Sequence, residues 1–257
     1  GVTDNLNFGN PTDPHVYHQI EQAVEGISEA CLALGTPVTG GNVSLYNQYV
    51  EGGRVRAVHP TPTIGMVGVL RDVGRRATQG LKRDDDVLLL LGAGVSTLGA
   101  SEYLYRLHGL EAGAPPALDL AAEAAVQAAV RSLVAEGLVD TAHDVSTGGL
   151  AVCLAEMALA GGRGLSAEVP LAGEGPLARD VALFGESAAR VVVAVEPSRL
   201  EPALAACAAV GVPAVRLGTA GGGSLELRLA GDDGPVVSAD PGDVAAAWGS
   251  TYAEALG

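Results

Sequence analysis

Basic residues are scarce: 15 Lys and Arg stand against 30 Asp and Glu in 257 residues, a formal net charge of -15. Neutralising a nucleic-acid backbone takes clustered Lys and Arg, so that class of partner is excluded. A small anionic ligand stays open, because glycine loops and helix N-termini bind phosphate through backbone N–H groups. Long apolar runs are missing too. A strongly apolar stretch such as Val87 to Leu91 is bounded by Asp84-Asp85-Asp86 and Gly92, far below the roughly 18 residues of a membrane span. No membrane partner is expected. Cysteine is limited to Cys31, Cys153 and Cys207, widely spaced and in apolar helical contexts. They read as buried free thiols of a reducing compartment, the cytoplasm, and no CxxC or His-rich spacing supports zinc. There is no Walker-type G-x-x-x-x-G-K-[ST], no nucleophile elbow and no Ser-His-Asp order. His15, His18, His59 and His108 lack partners at metal-binding spacing.

What is present is hydrophobic and glycine-rich. Apolar residues make up 48% of the chain and aromatics only 4%, with 36 glycines, enough for a sizeable core in one large domain or two ordinary ones. The chain opens on Gly1-Val2-Thr3-Asp4, with no Met and no basic or apolar leader, and is expected to be a piece of something longer.

Two segments carry most of the chemistry. Asp4-Asn5-Leu6-Asn7-Phe8-Gly9-Asn10-Pro11 packs Asp4, Asn5, Asn7 and Asn10 into a short stretch. These residues either shape turns or offer hard oxygens suited to Mg²⁺ and to nucleotide groups. Gly40-Gly41-Asn42-Val43-Ser44 follows, where glycine admits a ligand close to the backbone. Its pairing with the first segment favours binding. In an extended strand Asn42 and Ser44 point to one side, so a metal and a second ligand could be addressed from one face.

The pattern is α/β. The segment through Pro14 reads as turn-rich. His15 to Leu34 reads as a helix, with Val16, Ile20, Ala23, Val24, Ile27, Ala30, Cys31 and Leu34 at helical spacing, Asp13 as N-cap and Gly35 as the stop. Thr36 to Thr39 is short and β-like, Val43 to Tyr49 alternates as a strand, and Thr61 to Leu70 forms another with glycines at 65 and 68. The polar stretch between Arg71 and Asp86 is the domain boundary. Beyond it, strands are expected at 87–91, 190–195, 214–217 and 224–229, and helices at 98–107, 118–136, 150–160, 198–210 and 244–256. Antiparallel elements are expected at the end.

His143-Asp144-Val145-Ser146-Thr147-Gly148-Gly149-Leu150 opens one of these helices. Asp144 or Ser146 would cap it, and Gly148-Gly149 would free N–H groups for an anion, or the motif is simply a capped helix with a tight turn before it. Glu186, in Leu183-Phe184-Gly185-Glu186-Ser187, is either a ligand-facing carboxylate or an exposed loop residue.

Taken together, the Val2 to Pro11 segment, Ala33 to Ser44, His143 to Leu150 and Leu183 to Ser187 resemble the C-terminal part of the large synthetase subunit of phosphoribosylformylglycinamidine synthase. That family lies in the aminoimidazole ribonucleotide synthetase-like (PurM-like) superfamily. The resemblance covers essentially the whole chain. It implies a large subunit of two tandem pairs of N-type and C-type α/β domains. Residues 1–75 would be the C-terminal part of the second N-type, ATP-binding domain and 80–257 the second C-type domain. The implied reaction is ATP-dependent amidation of formylglycinamide ribonucleotide in purine biosynthesis, with phosphorylation of the formamide oxygen and displacement of phosphate by ammonia. Ammonia would come from a glutaminase subunit, and a small accessory subunit would complete the assembly. By motif match Asp4 and Gly41 would contact ATP, Asn42 would hold Mg²⁺ and Ser44 would touch substrate, while Asp144 and Glu186 would belong to an auxiliary nucleotide site. The family's catalytic histidines lie in the first repeat, so no catalytic residue is expected in this chain, which should be inactive without the missing N-terminal repeat. The open alternatives are a structural module of the synthetase and another ATP-dependent synthetase or kinase of the superfamily.

Overall fold

The computed structural model describes residues 1–94, 96–171 and 173–256, with side chains described to residue 250. It divides into two compact units, Gly1–Arg71 and Asp72–Gly257.

In the first unit β1 (Val2–Asn7) is followed by α1 (Pro14–Ala33), β2 (Val38–Ser44), β3 (Gln48–Glu51), β4 (Arg54–Ala57) and β5 (Thr61–Met66). Asp13 caps α1 by accepting from the His15 N–H, with Pro14 in the first turn, and Gly35 beyond it has φ 62°, the left-handed geometry that ends helices. The sheet order is β2-β1-β5, with β1 parallel to β2 and antiparallel to β5. β3 and β4 pair as a hairpin around Gly52-Gly53, both at positive φ, as a tight two-residue turn demands.

Two expectations are corrected here. Of the segment read as turn-rich through Pro14, Val2–Asn7 is the central strand of this sheet, and the turns follow at 9–13. Its Asp and Asn content speaks against a strand, and pairing on both sides overrides that propensity. The glycine pair lies inside β2, and the strand expected over 43–49 stops at Ser44, beyond which Tyr46 takes φ 61°. The hairpin was not anticipated.

The second unit runs β6 (Val87–Leu91), α2 (Glu102–His108), α3 (Leu120–Ala135), β7 (Thr141–Asp144), α4 (Gly149–Gly161), β8 (Leu165–Val169), α5 (Ala178–Phe184), β9 (Val191–Val195), α6 (Leu200–Ala209), β10 (Ala214–Ala220), β11 (Leu225–Leu229), β12 (Val237–Ala239) and α7 (Pro241–Leu256). The seven-stranded sheet has the order β12-β11-β8-β10-β6-β9-β7. Only β8 and β11 pair in parallel; the other neighbours are antiparallel. Antiparallel pairing therefore pervades the sheet rather than appearing only at its end. β7, β8, α5 and β12 escaped the sequence reading, although the alternation of Leu165, Ala167 and Val169 is the signal of a half-buried strand.

Two apolar clusters sandwich this sheet. Leu88 and Leu90 of β6 join Val192 and Ala194 of β9 and Leu150, Leu154 and Met157 of α4 on one face. Val87, Leu89 and Leu91 join Val193 and Val195, with Val126 and Leu133 of α3 and Ala203 and Cys207 of α6, on the other. A strand covered on both faces reads as an unbroken apolar run, which explains Val-Leu-Leu-Leu-Leu. Cys153 and Cys207 are buried and free, and burial pushes both thiols above their ordinary value.

Candidate functional site

In the first unit the parallel register pairs Asp4 with Gly41, Asn5 with Asn42, and Asn7 with Ser44. All four residues singled out there lie on these adjoining strands. A Cβ on Gly41 would collide with the Asp4 carboxylate, so the Asp4 side chain occupies the space that glycine leaves open. Any other residue at 41 would push β2 away from β1 or expel the carboxylate.

Alternation along a strand sends neighbours to opposite faces. Asp4 and Gly41 face the side that carries α1, where Val2, Ile64 and Met66 share a cavity of about 230 Å³ with Ile27, Ala30 and Cys31. Asn5, Asn7, Asn42 and Ser44 face the other side. There Asn42 Nδ2 donates to Asn5 Oδ1 at 3.2 Å and Asn7 Nδ2 donates to the same oxygen at 3.3 Å and to the Thr61 carbonyl at 3.2 Å. Ser44 Oγ is 3.2 Å from Asn47 Oδ1. The structure thus unites Asn42 and Ser44 on one polar face and puts Asp4 and Gly41 on the reverse. The sequence reading missed Asn47, which holds Ser44, and Thr61, which anchors Asn7. Asn10 is a turn residue: its Oδ1 accepts from the Thr12 N–H at 2.9 Å and hydroxyl at 2.8 Å.

The Asn42 amide donates through nitrogen, so its oxygen is left to accept or ligate. Mg²⁺ prefers carboxylate and phosphate oxygens in octahedral array, and the side chains of Asn5, Asn7, Asn42 and Ser44 offer amide and hydroxyl oxygens. No group of three or more His, Cys, Asp or Glu suited to a metal exists among the described residues. Asn42 therefore fits Mg²⁺ as a single neutral ligand, with charged ligands supplied by phosphate or other residues.

In the second unit Asp144 ends β7 with its side chain 69% exposed. Burial of the carboxyl works to raise its pKa, but hydrogen bonds from Ser146 and its own backbone, with the His143 ring beside it, leave it below the ordinary value. His143 Nε2 lies 2.7 Å from Glu156 of α4. Glu186 Oε1 accepts from the Gly148 N–H at 2.9 Å, just before α4, and from the Glu102 N–H at 3.1 Å, the first residue of α2. Neither Asp144 nor Ser146 caps α4. Its N-cap is Gly148 in the left-handed region, with no side-chain bond of its own, and the Gly149 N–H goes to the Ser146 carbonyl. The N–H groups expected to await an anion are thus already used, one of them by the chain's own carboxylate.

The N-terminal domain model of the AIR synthase related proteins matches residues 1–70, and the C-terminal domain model matches residues 83–229. The chain belongs to the AIR synthase related family. Within that family it is similar to the phosphoribosylformylglycinamidine synthase subunit PurL of Deinococcus radiodurans, 59% identical over 170 residues that make up 64% of this chain and 23% of that one. It is 51% identical to PurL of Moorella thermoacetica over 230 residues, 90% of this chain and 30% of that one. The chain thus spans about a third or less of these AIR synthase related subunits. Thermotoga maritima PurL, solved in complex with FGAR, superposes with a TM-score of 0.66 at 19% identity, covering 95% of this chain and 39% of that one; its complex with ATP gives 0.65 at 17%, covering 95% and 37%. At that identity the likeness carries the family fold, a PurM-like mixed α/β architecture.

Proposed function

We propose that this chain is part of the synthetase subunit of phosphoribosylformylglycinamidine synthase, an ATP-dependent carbon-nitrogen ligase. It would turn formylglycinamide ribonucleotide, ammonia from glutamine and ATP into the amidine, ADP and phosphate. Residues 1–75 then belong to the second N-type domain and 80–257 to the second C-type domain. The observation that carries the reading is the β1–β2 register. It sets Gly41 against Asp4 and gathers Asn42 and Ser44 on one polar face, in a chain similar over 90% of its length to a PurL subunit. Asp4 and Gly41 contact ATP, and Asp4 also seats against Gly41 and so sets the stretch of β2 that presents its neighbours. Asn42 offers an amide oxygen to Mg²⁺, and Ser44, steadied by Asn47, meets the substrate. When bound, Mg²⁺ supplies charge neutralisation for the phosphates. Asp144 and Glu186 are assigned to an auxiliary nucleotide site, where Asp144 is the exposed group and Glu186 braces the start of α4.

A second reading, a structural and interaction module, draws on the first unit's bare surface: no residue of β2, β3, β4 or β5 is buried. On either reading the partners are the missing N-terminal repeat, a glutaminase subunit and a small accessory subunit, in the cytoplasm. The test is a pair of neighbouring substitutions in the full subunit, assayed by ammonia-dependent turnover of formylglycinamide ribonucleotide. Gly41→Ala is expected to lower kcat/KM for ATP about 100-fold, the scale of a misplacement near 1 Å. Gly40→Ala, with open space where its Cβ would go, should leave it within a factor of about three. Wild-type kinetics in Gly41→Ala would sink the site assignment. Calorimetry of the 257-residue chain with ATP and Mg²⁺ separates the two readings, because saturable micromolar binding excludes a purely structural role.

A further inference from the structure

Arg190 is a buried cation without a counter-ion. Its exposure is 7%, and its hydrogen bonds go to neutral oxygens: Nε donates to Ser187 Oγ at 2.5 Å and one Nη donates to the Gly185 carbonyl at 2.9 Å. Among the described residues no carboxylate comes within ion-pair distance of it; the salt bridges of this unit involve other cations. Taking a charge out of water costs several kcal/mol unless it is paired. Burial lowers the guanidinium pKa from its ordinary value, yet arginine stays protonated in proteins, so the charge persists.

Arg190 lines a cavity of about 480 Å³ whose other walls are mostly apolar side chains and glycine-rich backbone, among them Leu90, Leu150, Ala182, Val215 and Gly94, with Ser96 as a further polar residue. A side chain at Gly94 would strike the Ala188 carbonyl and come within 3.0 Å of Ser187 Oγ and 3.3 Å of Arg190 Cγ. Glycine at 94 thus keeps the wall from crowding the arginine and the serine that orients it. Neither Asp144 nor Glu186 lines this cavity.

We infer that this cavity binds a small organic oxyanion, with the head group on the free edge of Arg190 and an apolar body against Leu90, Leu150 and Val215. A guanidinium has five N–H donors in a fork that matches carboxylate and phosphate, and the two bonds to neutral oxygens leave donors over. The volume lies in the range of small-molecule sites, which combine apolar walls with a few placed polar groups. Low-dielectric walls strengthen the single charge contact. The inference does not depend on the proposed ligase activity, since none of the residues assigned to that activity lines this cavity.

The experiment is a titration of the 257-residue chain carrying ¹⁵N-arginine, read at the Arg190 Nε–H resonance. One arm uses inorganic phosphate, one benzoate, and a chloride arm matches ionic strength. The expected result is a saturable shift of that resonance with phosphate, benzoate or both at millimolar or lower midpoint; which arm saturates identifies the head group. No shift beyond the chloride arm would overturn the inference. In parallel, Arg190→Met should abolish the rise in Tm that the active anion confers, a rise of several degrees for ligand far above Kd. A Met variant stabilised by the anion as much as wild type would place the anion elsewhere and also defeat the inference. If the variant does not fold, the wild-type resonance alone decides.

Discussion

The two units of this chain handle their hydrophobic residues in opposite ways. In the second, every residue of β6 is buried, alternating between two helix-covered clusters. In the first, only Val2, Phe8 and Val16 are buried among the large apolar residues, while Val50 is 71% exposed, Val55 64% and Met66 60%. α1 has a full apolar stripe in sequence, yet Val16 is its single buried residue. The second unit carries its own stabilising core. The first holds its shape through strand register and side-chain amide bonds, and it leaves large apolar side chains exposed on its strands.

The largest expected effect breaks or upholds that contrast directly. Leu89→Ala should destabilise the second unit by about 2–5 kcal/mol, the cost of a core cavity. Val50→Ala in β3 should change stability by no more than about 0.5 kcal/mol. Native-state hydrogen exchange reads each unit separately, and comparable losses for the two variants would refute the contrast. Next in size is Glu186. The polar face of the first unit is open, whereas in the second the chain's own carboxylate closes two helix N-termini. Glu186→Ala leaves the Gly148 and Glu102 N–H groups without their acceptor and should cost about 1–3 kcal/mol. Glu186→Gln keeps an acceptor oxygen and should lose less. Denaturant unfolding gives the ranking, and equal stability of Glu186→Ala and wild type would mean that water replaces the carboxylate at no cost.

The smallest effect is in the acid limb of the second unit. The Arg83 hydrogen bond, against some opposing burial, holds the Asp140 carboxyl below its ordinary value, with Lys82 also nearby. A lowered folded-state pKa means that this contribution is complete above the unfolded value, near 4, and disappears as pH falls through the folded value. Asp140 and Arg83 are more than a third exposed, so the contribution stays below about 1 kcal/mol. Asp140→Asn should flatten the loss of β6 amide protection as pH falls below about 4, the side on which a lowered Asp pKa places the loss. An unchanged acid limb would detach Asp140 from the stability of the unit. Asp86 runs the other way: burial raises its pKa, so its contribution fades as pH rises.

Local signals were readable where one element supplied them. Asp13, Pro14 and Gly35 marked α1, and Val87 to Leu91 announced a strand buried on both faces. β1 was not readable, because Thr3, Asp4, Asn5 and Asn7 have turn chemistry and become strand only by pairing with β2 and β5. The cap of α4 failed for a related reason. Asp144 and Ser146 stand at plausible capping positions, but the acceptor that reaches the Gly148 N–H is Glu186, 38 residues away. Of the candidate site, the glycine pair, Asp4, Asn42 and Ser44 were visible as residue types. The division of labour within the pair was not: a Cβ at Gly41 meets Asp4, whereas one at Gly40 meets nothing.

The sequence by itself determined the chemistry: an acidic, thiol-poor α/β chain carrying glycine, amide and hydroxyl groups in motifs of the AIR synthase related family. Composition and periodicity are properties of neighbours along the chain, so they survive without a fold. Tertiary structure alone decided that Asp4 lies against Gly41, that Asn42 and Ser44 share the opposite face, that Glu186 closes two helix ends, and that Arg190 is buried unpaired beside a cavity. Each of those facts joins residues brought together by strand pairing or packing, and such long-range register has no local signature to read.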